Sequence, residues 1–101
     1  MELLTPEIQE KLPKLYEQEG VADPIVHVKF FTPDGRWTWY ATEGSPEEED
    51  FIFFGFVVGL DKELGYFSLN ELKKSRGPLG LPIERDLNFK PQPLSQVRAM
   101  H

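Results

Sequence analysis

Apolar positions change period several times along this chain, and each change predicts an element. In "LTPEIQEKLPKLYEQ", Ile8, Leu12, Leu15 and Tyr16 are spaced by 4, 3 and 1, an apolar stripe along a helix. Thr5 can cap that helix, Pro6 suits its first position and Glu7 favours the positive end of its dipole. Pro13 lacks an amide donor and clashes one turn back, which predicts a kink or two short helices. The period then falls to two. "IVHVKFF" at 25–31 and "RWTWYAT" at 36–42 read as strands, joined by the turn residues Thr32, Pro33, Asp34 and Gly35.

Two registers satisfy this hairpin. A four-residue loop sets Phe31 opposite Arg36 and Phe30 opposite Trp37, with Val26, Val28, Phe30, Trp37, Trp39 and Ala41 on one face. A three-residue loop slips the pairing by one and mixes both tryptophans with His27 and Lys29. The first keeps the apolar face whole. It predicts core tryptophans and leaves Phe31 and Tyr40 as exposed rings.

"GSPEEED" follows, with four consecutive acids from Glu47 to Asp50 that read as a solvated loop. "FIFFGFVVGL" is apolar at both parities, as in a central strand covered on both faces. Gly55 and Gly59 on one parity leave room for a tryptophan, and Gly55 is the expected seat. Ser68 and Glu71 form a capping box for a short helix at 69–76 with Leu69 and Leu72 inward. Lys73, Lys74 and Arg76 then sit at its negative end, and Gly77 and Pro78 stop it. The proline-rich stretch from Pro78 is extended, with an edge strand near 83–89, and 94–101 reads as a loose tail. The expected fold is α+β: an antiparallel sheet of three to four strands built on the 25–42 hairpin, a kinked N-terminal helix and a short helix at 69–76.

Composition narrows the classes. A chain of 101 residues with 40% hydrophobic and 13% aromatic content predicts one folded domain, 1–101. With no cysteine there is no disulfide, thiolate nucleophile or cysteine zinc site. The first residues lack a signal-peptide pattern, and the ten-residue apolar run is too short to span a bilayer as a helix. A soluble, cytoplasmic protein with no membrane partner is expected. The net charge of −6 is uneven: residues 1–50 balance to −8 and residues 51–101 to +2. The acidic half disfavours nonspecific binding to phosphate backbones.

Three segments carry more than these patterns: "LLTPEIQEKLPKLY", "VKFFTPDGRWTWYATE" and "FFGFVVGLDKELGYFSLNELKKSRGPLGLPIERDLNF". From about Leu3 to Pro93 the chain resembles the bacterial family called domain of unknown function 2958. The resemblance implies a small stand-alone bacterial protein, often encoded on plasmids and other mobile elements. It implies no activity and assigns no functional residue.

Candidate chemistry is sparse. His27 and His101 are the only histidines, and "EEED" lacks the spaced oxygen ligands and glycine of a calcium loop, so neither metal nor cofactor is expected. No serine has a base placed beside it by a recognisable motif, and Ser68 is occupied as a cap. "GPLG" follows a helix and lacks the Lys and Ser/Thr of a phosphate loop. Glu84, Arg85 and Asp86 form a proline-flanked polar group that, beside Lys29 or Arg76, can line a ligand or catalytic pocket. Lys73, Lys74, Arg76, Arg85 and Lys90 can make a basic edge for nucleic acid, although the helix dipole already explains the first three.

The reading that fits best is a non-enzymatic accessory protein that binds a protein partner. Its expected surface is the acidic residues Glu47, Glu48, Glu49 and Asp50 with the rings Phe31 and Tyr40. Nucleic-acid binding through Lys29, Lys73, Lys74, Arg76, Glu84, Arg85 and Asp86, or a pocket built from the same residues, is the alternative. The sequence does not set an oligomeric state.

Overall fold

The strand predicted from "FIFFGFVVGL" is an interior strand of a five-stranded antiparallel sheet, next to one edge. The computed structural model describes residues 1–101. In chain order the elements are α1 (Pro6–Lys11), β1 (Ile25–Val26), β2 (Val28–Phe31), β3 (Thr38–Glu47), β4 (Asp50–Val58), β5 (Lys62–Ser68), α2 (Leu69–Lys74), β6 (Glu84–Arg85), β7 (Gln92–Pro93) and α3 (Leu94–Ala99). The main sheet has the order β5-β4-β3-β2-β6, and β1 pairs with β7 in a separate two-stranded ribbon. The α+β class is as expected, with one strand more in the main sheet than predicted.

Alternation along the strands sorts the core onto two faces. One face buries Val28, Phe30, Ala41, Phe51, Phe53 and Phe67 under Leu3, Leu12, Leu72 and Ile83. The opposite face buries Tyr40 and Phe56 with Val26, Leu94 and Val97. Phe30 and Phe53 meet edge to face with centroids 5.4 Å apart, and both are fully buried. Each fully buried ring of this size stabilises the fold by about 1.5–3 kcal/mol.

The hairpin register differs from both expected forms. Phe31 pairs with Thr38, Phe30 with Trp39 and Val28 with Ala41, a shift of two from the four-residue loop drawn above. Thr32 is the cause. Its amide reaches the Trp37 carbonyl at 3.0 Å, and its hydroxyl accepts from the Trp37 amide at 2.9 Å, so Thr32 prolongs the ladder. The loop is therefore Pro33 to Arg36, and Asp34 turns outward, where it accepts from the Leu79 and Leu81 amides at 2.7 and 3.2 Å. A shift of two preserves the faces, so Phe30, Trp37 and Trp39 stay together.

Burial within those faces corrects the expected rings. Tyr40 is 1% exposed, whereas Trp37 is 42% exposed. The segment read as a loose tail explains it: α3 and Phe89 close over Tyr40, whose hydroxyl lies 2.8 Å from His101 Nε2. Trp37 sits beyond the core at the loop end, stacked on Trp39, with its ring over Gly59 rather than Gly55. The hydrogen that takes the place of a side chain at Gly55 faces the Tyr40 carbonyl. Val26 and Val28 also separate, because His27 donates to the Ala41 carbonyl at 2.9 Å beside the Val28–Ala41 pair, a bulge that turns Val26 to the other face.

The first two helices start as their sequences dictate. The Thr5 hydroxyl accepts from the Ile8 amide, and Ser68 Oγ accepts from the Glu71 amide at 3.0 Å. In place of a kinked helix, α1 ends at Lys11, because the residue before Pro13 is driven out of the helical region: Leu12 has φ −71 and ψ 127. α2 closes at Lys74 and leaves Arg76 in an isolated bridge with Pro82.

Candidate interaction site

The acids expected to form a free loop are the tip of the β3–β4 hairpin. Glu47 pairs with Asp50, and Glu48 and Glu49 make the turn, Glu48 with the left-handed φ of 54. Asp50 is tied into the fold. Its Oδ1 accepts from the Phe51 amide at 2.7 Å and from the Asn70 amide at 3.0 Å, joining the tip to the first turn of α2. Desolvation acts to raise the Asp50 pKa. The Asn70 and Phe51 amides, the Ser68 hydroxyl and the Lys73 charge outweigh it and hold the carboxyl below its ordinary value. Glu47, Glu48 and Glu49 remain exposed. Phe31 is half-buried, and Tyr40 is enclosed, so the two rings and the acids do not make one surface.

The alternative set divides among four places. Lys29 forms an ion pair with Asp86 at 3.6 Å and lies over the Tyr40 ring. Burial raises the Tyr40 hydroxyl pKa, and the Asp86 charge adds to it. Arg85 is spent on the N-terminal segment, donating to the Glu2 carbonyl at 2.7 Å. Arg76 folds back on the Lys73 and Ser75 carbonyls at 2.9 and 2.7 Å, a cap on the end of α2. Lys73 and Glu84 meet in a cleft of about 470 Å³ between the N-terminal segment, α2 and Ile83, and Arg85 and Asp86 line a separate, smaller one of about 240 Å³ beside His27. Lys74 is exposed beside the larger.

A different surface gathers residues that the sequence reading missed. Tyr16, Val21, Leu64 and Tyr66 are 62%, 45%, 46% and 57% exposed and line one groove of about 340 Å³. Its floor is Thr42, Glu43 and Phe54, and Arg98 of α3 stands at one side. Phe54 supports the Tyr66 ring edge to face at 4.9 Å. A contact with the Tyr16 hydroxyl raises the Tyr66 pKa, with desolvation and the charges of Glu43 and Glu19 in the same direction.

From the floor, Glu43 anchors the far wall, the turns that carry Tyr16. It is 5% exposed, and its two oxygens accept from the Tyr16 amide at 3.0 Å and the Gln18 amide at 2.7 Å. Those bonds hold Tyr16 at φ 75, a conformation costly for a residue with a Cβ. The Glu43 carboxylate is thus the anchor of the 14–20 turns.

The near wall is β5, the outer strand of the sheet, with no strand on its free side. A family model described as "Protein of unknown function (DUF2958)" matches residues 3–99. The chain belongs to the DUF2958 family. No curated protein and no solved structure matches it. In this DUF2958 chain the two sheet edges are unlike. β6 is two residues long, follows Pro82, and has its Arg85 amide turned to Met1 Sδ. β5 is seven residues long, and Gly65 at its centre has open space where a side chain would stand. The sequence did signal this strand: "ELGYF" alternates Leu64, Gly65, Tyr66 and Phe67, but the capping box that follows drew the reading to the helix. No helix is long and apolar enough to cross a membrane, and no cluster of three or more His, Cys, Asp or Glu could hold a metal.

Proposed function

We propose that this protein is a non-enzymatic accessory protein of a bacterial mobile element that acts by binding protein, and that the docking surface is the β5 edge with the adjoining groove. One observation carries the reading: four large apolar side chains, each about half exposed, border a groove beside an unpaired seven-residue strand. Unpaired strand edges recruit extended segments by main-chain hydrogen bonds, and alternate side chains then set the choice of partner. Large exposed rings around such an edge supply the apolar anchors that dominate binding energy. The acidic tip at Glu47 to Glu49 forms the β3–β4 turn and lies outside the groove lining.

The test is capture from a bacterial lysate with and without nuclease, with tagged wild type and tagged Leu64→Lys/Tyr66→Lys compared at equal load. The expected result is a stoichiometric protein, a further copy of this chain included, retained by the wild type and lost by the variant. Retention by both proteins would move the site away from β5. Capture that disappears with nuclease would point to nucleic acid and to Lys73, Lys74 and Arg76 instead.

A further inference from the structure

We propose that β5 is an interface between two copies of this chain, which pair antiparallel about a two-fold axis through Gly65 and continue the sheet from one copy to the next. The inference rests on the reading that β5 binds protein, and it names the occupant.

Two identical strands that pair side by side and antiparallel are related by an axis perpendicular to the sheet, so residues opposite one another belong to the same face. The strand Lys62–Ser68 has Gly65 as its midpoint, and an axis there pairs all seven residues. Leu64 then lies opposite the partner's Tyr66, and Tyr66 opposite the partner's Leu64. These are the two exposed apolar side chains of the strand. Each meets an aliphatic–aromatic cross-strand partner, a favourable pair. Gly65 lies opposite the partner's Gly65, where the open space on both sides removes any clash. Lys62 faces the partner's Ser68 and Glu63 faces the partner's Phe67, so no like charges oppose.

Other axes do worse. Centred on Leu64, the axis sets Lys62 against the partner's Tyr66. Centred on Glu63, it opposes two carboxylates. Centred on Tyr66, it leaves Leu64 against a serine. The opposite edge of the sheet offers no equivalent, since β6 has two residues and is tied to the N-terminal segment.

The size of the contact sets its strength. Seven strand residues and a few from the groove wall, at about 30–40 Å² each, bury roughly 400 Å² per copy. That falls in the weak, reversible class, so the dimer forms at micromolar concentration or above. Each copy carries a net charge of −6, and the mutual repulsion is screened by salt. Dimerisation therefore strengthens as salt is added, opposite in sign to nucleic-acid binding.

The experiment combines sedimentation equilibrium, from micromolar to millimolar protein at low and high salt, with cysteine cross-linking in a chain that has no cysteine of its own. Opposed residues in an antiparallel pair have Cα atoms about 4.5–5.5 Å apart, within the reach of a disulfide. Gly65→Cys should give a covalent dimer on mild oxidation. Leu79→Cys, at a site 82% exposed and outside the strand, should react only by random collision. Tyr66→Lys should keep its fold and weaken the dimer at least tenfold. Wild type that stays monomeric at millimolar protein in both salts, with Gly65→Cys cross-linking no faster than Leu79→Cys, overturns the proposal. If lysate capture is still lost in the Leu64→Lys/Tyr66→Lys variant, the binding reading survives and the occupant is another protein's strand. If capture is insensitive to that variant as well, both fall.

Discussion

Replacing Glu43 by glutamine tests whether a buried carboxylate shapes the groove. The wild-type side chain presents two acceptor oxygens to two main-chain donors, at 3.0 Å from Tyr16 N and 2.7 Å from Gln18 N. Glutamine keeps one carbonyl oxygen and sets an NH2 group against the other amide. One charge-assisted hydrogen bond becomes an ordinary one, and one donor loses its acceptor. Hydrogen bonds to charged groups contribute about 1.5–3 kcal/mol, and an unsatisfied buried donor costs about 1–3 kcal/mol. Removing a charge from a site only 5% exposed recovers part of that loss. The expected net loss is about 2–3 kcal/mol. Tyr16 would also be free to leave φ 75, so the groove wall should open. Urea unfolding should show a lower midpoint with an unchanged slope, and hydrogen exchange should accelerate first at the Tyr16 and Gln18 amides. Stability within about 0.5 kcal/mol of wild type, with both amides as protected as before, would refute the anchoring role.

Gly77→Ala should be far more costly than an exposed glycine substitution, because the new Cβ would collide with Asp34 Oδ1, an atom already enclosed without a partner. A loss above about 2 kcal/mol in thermal or urea unfolding is expected, against about 0.5 kcal/mol or less for Gly20→Ala, whose surroundings are open. The pH profile should show two windows. His27 and His101 have lowered pKa values, each chiefly from burial, with Lys11 acting on His27, and Lys62 and Lys29 on His101. The unfolded chain then binds more protons, so stability falls as pH drops below 6.5 towards the folded values. Asp23, lowered by its hydrogen bonds from Ser95, and Asp50 stabilise above 3.8 and lose that contribution as pH falls through their folded values. Urea midpoints from pH 8 to pH 3 measure both, and His27→Gln should flatten the upper window.

Local chemistry was legible because it acts over three or four residues. Thr5 and Ser68 cap the helices they were expected to cap, and the interior position of β4 follows from apolar residues at both parities. What could not be read depends on contacts between distant segments. Tyr40 alternates like an exposed residue, and it is enclosed by Phe89, α3 and His101, which arrive from the far end of the chain. Glu43 stands four residues from an acidic run and shares its composition, but its function is fixed by amides 25 and 27 positions earlier. Arg85 and Asp86 are neighbours in sequence with separate partners, Glu2 and Lys29, both supplied by segments more than fifty residues away.

The asymmetry of the sheet edges is what turns the fold into a binding hypothesis. Proteins protect open edges with short strands, prolines or a covering segment, since an unpaired strand invites association. The β6 edge has all three protections: two residues, Pro82 before them, and the first residues of the chain bound across Arg85. β5 has Lys62 and Glu63 at one end as its only charges, and a glycine flanked by exposed Leu64 and Tyr66 at its centre. The groove beside it is held open by Glu43, whose burial carries an electrostatic cost that a hydrophobic wall would avoid. That cost is offset by two backbone hydrogen bonds that fix Tyr16 opposite Tyr66. If Glu43 only stabilised the fold, its loss would lower stability and leave β5 association unchanged. If it shapes a docking surface, Glu43→Gln should weaken association measured well below its unfolding midpoint, where the protein remains folded.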